Sequence, residues 1–176
     1  AEGAMAGDPM VALEWCVKAA DRAAGDLAFE AAIRSYERAL AVLELVEDPD
    51  LTVQADIEIA LADMLRTAGD EGFLDAGFRA AATARRAGDA ERVARAVLAM
   101  DEDNPPGAVE PGDALLELIA EAIAALDIEP SELRAGLLGM LAVRMYWSPE
   151  RDVRIGAGLE ALAMAREVGS AVSMSR

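Results

Sequence analysis

The sequence predicts an all-α chain of eight helices paired into about four hairpins, and three observations predict it. Apolar residues make up 54% of the chain but aromatics only 4%, so the core must be built from Ala, Leu, Ile, Val and Met. That mixture favours close-packed helices over a sheet, which draws on β-branched and aromatic side chains. Helix stop and start signals punctuate the chain at helix-length intervals. Finally, Ala82-Thr83-Ala84-Arg85-Arg86-Ala87-Gly88-Asp89 is echoed 81 positions later by Ala163-Met164-Ala165-Arg166-Glu167-Val168-Gly169-Ser170. Each copy reads as the end of a helix, a Gly suited to a left-handed stop, and an Asp or Ser suited to cap the next helix.

Taken in order, Asp8-Pro9 supplies an N-cap followed by Pro at the first helical position, where a missing N–H costs nothing. Gly25-Asp26, Gly69-Asp70 and Gly88-Asp89 each offer a stop and then a start, Glu47-Asp48-Pro49-Asp50 marks a turn, and Ser148-Pro149 repeats the cap-then-Pro pattern. Helices are expected over 9–24, 27–46, 50–68, 71–87, 89–100, 113–126, 131–147 and 149–168. In the second, Phe29, Ala32, Ile33, Tyr36, Ala39, Leu40 and Leu43 form one apolar face, with Glu30, Arg34, Glu37 and Arg38 opposite. The seventh carries Leu133, Leu137, Leu138, Leu141 and Met145 in one stripe widened by Met140 and Val143, so neighbours should cover it on more than one side. Three Pro and two Gly between Asp101 and Gly112 make that segment an irregular loop.

Charge and residue inventory exclude several function classes. The net charge is -17, from 33 acidic and 16 basic residues, which argues against this chain neutralising phosphates on a nucleic acid. There is no His and a single Cys, so the commonest acid-base catalyst and metal ligand is absent and an internal disulfide is impossible. Cytoplasmic residence fits this usage best. Ala1-Glu2-Gly3-Ala4-Met5 lacks the features of a signal peptide, and the apolar run from Ala135 to Val143 is too short to span a bilayer. With no initiator Met, and with Ser173-Met174-Ser175-Arg176 closing the chain soon after a helix stop and start, the 176 residues read as one helical-repeat domain of a longer protein.

Candidate chemical sites are few. Carboxylate pairs such as Glu117 with Glu121 are expected to be solvated helix faces rather than acid-base machinery. Asp101-x-Asp103 begins like a calcium loop, but Pro105 stands where the third oxygen ligand belongs and Gly107 comes one position late. Cys16 is expected to be a buried, inert thiol. Arg79, Arg85, Arg86, Arg92 and Arg95 should form a salt-bridged surface across the fourth and fifth helices. One constellation is a candidate partner-binding surface: Tyr146 and Trp147, an aromatic pair before a turn, flanked by Arg144 and Arg151. No catalytic, cofactor-binding or metal-binding residue is assigned.

The stretch Phe29 to Leu40 resembles the second helix of a tetratricopeptide repeat, in which Ala32, Tyr36 and Ala39 occupy the small–aromatic–small positions where helices pack closely. Ala19-Ala20-Asp21-Arg22-Ala23, Leu61 to Asp70, Ala84 to Asp89, Leu141 to Arg151 and Ala165-Arg166 extend the likeness. Over nearly the whole chain their order is similar to the helical-repeat region of large actinobacterial LuxR-family transcriptional regulators with a nucleotide-binding module. The resemblance implies a right-handed superhelix of about four tetratricopeptide-like hairpins, acting as a non-catalytic scaffold for a protein, peptide or small effector. It also implies that ATP and DNA are engaged only by other domains of the parent. An oligomerisation scaffold, as in multidomain signalling proteins such as nucleotide cyclases, is the alternative.

Overall fold

The computed structural model describes residues 8–101, 113–146 and 148–169, and every regular element among them is an α-helix. The chain divides into two compact units, Ala1–Asp89 and Ala90–Arg176.

The first unit holds α1 (Pro9–Gly25), α2 (Phe29–Leu43), α3 (Leu51–Ala68) and α4 (Phe73–Ala87), each packed on the next in the chain. Short connections make such neighbours antiparallel. Side-chain caps set two helix starts, the expected one at Asp8 and a second at Asp50, which the sequence marks only as part of a turn. Asp8 Oδ1 accepts the Met10 N–H at 2.9 Å with Pro9 in the first turn, and Asp50 Oδ1 accepts the Thr52 N–H at 2.8 Å. At the ends of α3 and α4, Gly69 and Gly88 take φ of 73° and 70°. There Asp70 donates to the Leu65 carbonyl and Asp89 to the Ala84 carbonyl, closing the last turn.

Gly25 departs from the expected pattern. It lies inside α1 without a left-handed φ, and the left-handed residue is Leu27, at φ 59°. Leu27 donates to the Ala24 carbonyl and Ala28 to the Ala23 carbonyl, the same bond pair that Gly makes elsewhere, now displaced by two residues. Asp26 therefore serves the end of α1 rather than the start of α2. The second helix begins at Phe29 behind Ala28, without a side-chain cap.

The core of this unit joins three helices. Leu13 and Ala20 of α1, Ala32, Tyr36, Ala39 and Leu43 of α2, and Ile57 and Leu61 of α3 form one buried cluster. Ala20, Ala32 and Ala39 are fully buried, which lets the helix backbones approach closely around the Tyr36 ring. The expected polar face of α2, Glu30, Arg34, Glu37 and Arg38, is exposed.

The second unit holds α5 (Ala90–Leu98), α6 (Asp113–Ala125), α7 (Glu132–Arg144) and α8 (Arg151–Val168). Here α7 is central. It packs on α5, α6 and α8, and Ala135 to Met140 are buried in unbroken succession, so its whole circumference is covered. That matches the wide apolar stripe in the sequence. Arg134 ties three helices: Nη1 donates to the Ile123 carbonyl at 2.9 Å, and Nη2 lies 4.0 Å from Glu160 Oε1. The echo also has a common basis, because Ala84 and Ala165 are both fully buried while Gly88 and Gly169 both take the left-handed conformation. Within each unit, consecutive packing is compatible with a helical repeat. The expected loop lies outside the described residues beyond Asp101.

Candidate functional site

The expected partner-binding residues flank the turn between α7 and α8. Its backbone is set by Pro149, which disfavours helical geometry at the residue before it and so prevents α7 from running on. The helix ends at Arg144, three residues earlier than the apolar pattern suggests. Met145 then donates to the Leu141 carbonyl, Tyr146 to Val143 and Ser148 to Met145, and α8 begins at Arg151. Ser148 Oγ accepts the Glu150 N–H at 3.2 Å, holding the turn instead of capping the first residue of the helix.

At this corner Tyr146 is 44% exposed. The guanidinium of Arg154 lies 5.4 Å from its ring centroid, and Nη1 of the same residue donates to the Tyr146 carbonyl at 2.6 Å. One cation thus holds both the ring and the backbone of Tyr146, fixing the orientation of a large amphipathic side chain before any partner arrives. Arg154, one helical turn into α8, did not stand out in the sequence because it lies eight residues from the tyrosine.

The other expected members divide. Arg151 is exposed at the start of α8. Arg144 turns inward: its side chain is 11% exposed, Nη2 sits 3.8 Å from Asp101 Oδ1, and it also reaches the Met100 carbonyl at 3.4 Å. It bridges the ends of α5 and α7 instead of presenting charge outward. Trp147 lies outside the described residues. Asp101, the first position of the calcium-like pattern, is engaged by Arg144, and Asp103 also lies outside the described residues.

Elsewhere, Glu117 and Glu121 are exposed on α6, as a solvated face requires. Arg79, Arg85 and Arg86 are exposed on α4, while Arg92 and Arg95 belong to α5 in the other unit. Cys16 is partly buried against the first core, but its neighbour Trp15 is 69% exposed, with the ammonium of Lys18 5.9 Å from its ring centroid.

Two polar features of the first unit escaped sequence reasoning. The buried Tyr36 hydroxyl donates to Asp21 Oδ1 at 2.8 Å. Burial, reinforced by that bond and by the negative charges of Asp21 and Asp63, pushes this hydroxyl far above the ordinary tyrosine value of 10.0. Glu58 is only 7% exposed, with Oε1 accepting from Gln54 Nε2 at 3.0 Å and Oε2 accepting no hydrogen bond from the protein. The Tyr36–Asp21 bond and the burial of Glu58 depend on inter-helix placement, which periodicity does not encode, although Gln54 and Glu58 share α3. Burial, with the acidic neighbours of Tyr36, holds its proton more firmly, which suits a structural donor and not a base.

Among the described residues, no group of three or more His, Cys, Asp or Glu is placed to hold a metal ion. None of the described helices is long and apolar enough to cross a membrane. No family model, curated protein or solved structure matches the chain.

Proposed function

We propose that this chain is a non-catalytic helical scaffold that binds a protein or peptide segment, with the α7–α8 corner as its recognition point. The observation that carries the reading is the Tyr146–Arg154 pair. Tyr and Arg dominate the energetics of protein interfaces, and a side chain already held in place loses little entropy on binding. Tyr146 is exposed, Arg154 is half-buried beneath it, and the two are interlocked at the corner where α7 and α8 pack together. The resemblance read from the sequence extends the proposal. The scaffold would be a right-handed tetratricopeptide-like superhelix of a cytoplasmic bacterial transcriptional regulator of the LuxR type. It would relay partner or effector binding to ATPase-like and DNA-binding domains elsewhere in the parent, provided the ligand distinguishes the inactive and active states.

Selection of a displayed peptide library on the immobilised chain tests the recognition point. A recurring motif is expected, and Tyr146→Ala should weaken the selected peptides by about tenfold, the effect of losing a modest hot spot. Peptides that bind Tyr146→Ala as well as the parent chain would overturn the assignment. The regulator reading makes its own demand: the full gene should encode a phosphate loop before this region and a helix-turn-helix after it.

A further inference from the structure

The apolar residues on the outer side of α8 are not accounted for by the fold. One side of this helix is committed to the core through Ala157, Ala161, Met164 and Ala165, packed with Ala135 and Leu138 of α7. On the other side, Leu159 is 64% and Ile155 42% exposed, Gly156 and Ala163 are exposed beside them, and Leu162 is partly so. A Cβ built on Gly156 would meet nothing within 4 Å. Asp152 and Arg166 are also exposed on this face, one at each end. Positions 152, 155, 159, 162 and 166 recur at alternating spacings of three and four, the period of a helix seam made for another helix.

We infer that α8 pairs antiparallel with α8 of a second copy of this chain, about a two-fold axis beside Leu159. The placement of residues along the helix favours that occupant. Asp152 and Arg166 each lie seven residues from Leu159, on opposite sides. An antiparallel partner crossing at Leu159 therefore brings Asp152 of each copy level with Arg166 of the other, forming two opposite-charge pairs. The same register brings Ile155 level with the second copy's Ala163 and Gly156 level with its Leu162, setting large side chains against small ones. Ridges then enter grooves on both sides, as a self-complementary interface requires. A parallel pair would instead stack Asp152 on Asp152 and Arg166 on Arg166.

The exposed apolar face of α1, with Met10, Val11 and Trp15, lacks this property, because Glu14 and Lys18 are already paired with each other. From Asp152 to Arg166 the α8 seam is about 21 Å long, so one helix pair buries an area at the small end of specific interfaces. Association should consequently be reversible in the micromolar range and dependent on concentration. The pairing does not depend on Tyr146 and Arg154, so failure of either proposal leaves the other standing.

Sedimentation equilibrium of the 176-residue chain at low ionic strength, from about 10 to 300 μM, tests the inference. The expected result is a monomer–dimer equilibrium reaching twice the 18.5 kDa chain mass. Leu159→Glu should weaken dimerisation by at least about tenfold, while Asp152→Arg and Arg166→Asp should each weaken it by roughly tenfold through two like-charge encounters. The double variant Asp152→Arg/Arg166→Asp should recover to within about threefold of the parent, since reversing both charges restores both pairs. Unchanged circular dichroism shows that these exposed positions leave the fold intact. A parent chain that stays monomeric to 300 μM would overturn the inference. So would dimerisation indifferent to Leu159→Glu, or a double variant no better than the singles.

Discussion

The dipeptide Gly-Asp follows or ends three helices of the first unit, yet the structure requires opposite responses to the same substitution in it. Gly25 lies in the last turn of α1 without a left-handed φ, and a methyl group there would meet nothing within 4 Å. Replacing it with Ala reduces the freedom of the unfolded chain without loss in the folded one, a gain of about 0.5–1 kcal/mol. Gly69 takes φ 73°, so its methyl group would also meet open space but its backbone would be strained. The left-handed conformation costs an L-residue about 1–2 kcal/mol, partly offset by the same unfolded-state term, leaving a loss of about 0.5–1 kcal/mol. Gly25→Ala and Gly69→Ala should therefore differ by about 1–2 kcal/mol, with opposite signs relative to the parent. Urea unfolding followed by far-ultraviolet circular dichroism resolves this, because the slope should stay constant while the midpoints move apart. Leu27→Gly is the companion variant: Leu27 is 72% exposed, so relief of its left-handed strain should raise the midpoint despite the added chain entropy. If Gly25→Ala lost stability as Gly69→Ala does, the displaced helix stop at Leu27 would be wrong.

Two further predictions concern the buried polar groups. Tyr36 binds its proton more tightly in the folded chain than in the unfolded one, so its contribution to stability is complete below pH 10 and is lost as pH rises above that value. Unfolding midpoints at pH 8 and pH 11 should thus fall less for Tyr36→Phe than for the parent, although Phe forfeits about 0.5–1.5 kcal/mol at pH 8 with the Asp21 hydrogen bond. An equal alkaline loss in both would show that the hydroxyl is not the group responsible. Glu58→Met should raise stability by about 1 kcal/mol, because it removes a carboxylate whose Oε2 accepts no hydrogen bond from the protein, at the expense of one bond to Gln54. A clear loss in urea unfolding would mean that the carboxylate has a stabilising partner.

Helix identity was legible because α2 and α7 write their surroundings into their periodicity. Opposite faces of α2 are buried and exposed, whereas α7 is apolar over most of its circumference and buried without a break from Ala135 to Met140. The cap at Asp8 was legible because the Asp-Pro pair marks it locally, whereas Asp50, read only as part of a turn, and Ser131 cap α3 and α7 in the same way. The stop at Leu27 was not, since a left-handed Leu gains nothing locally that composition could reveal. The candidate site was legible as a neighbourhood only. An aromatic near a proline turn marks the corner, but Arg154 reaches Tyr146 and Arg144 turns toward Asp101 because of where α8 and α5 pack on α7. Such tertiary partners depend on helix placement and leave no trace in local spacing.

Recognition at the α7–α8 corner is tested most directly by amide chemical-shift mapping of the isotopically labelled chain as a selected peptide is added. The largest shifts are expected on Met145, Tyr146 and the first turn of α8 through Arg154, and they should vanish in Tyr146→Ala. Shifts confined to α1 through α4, or undiminished in that variant, would contradict it.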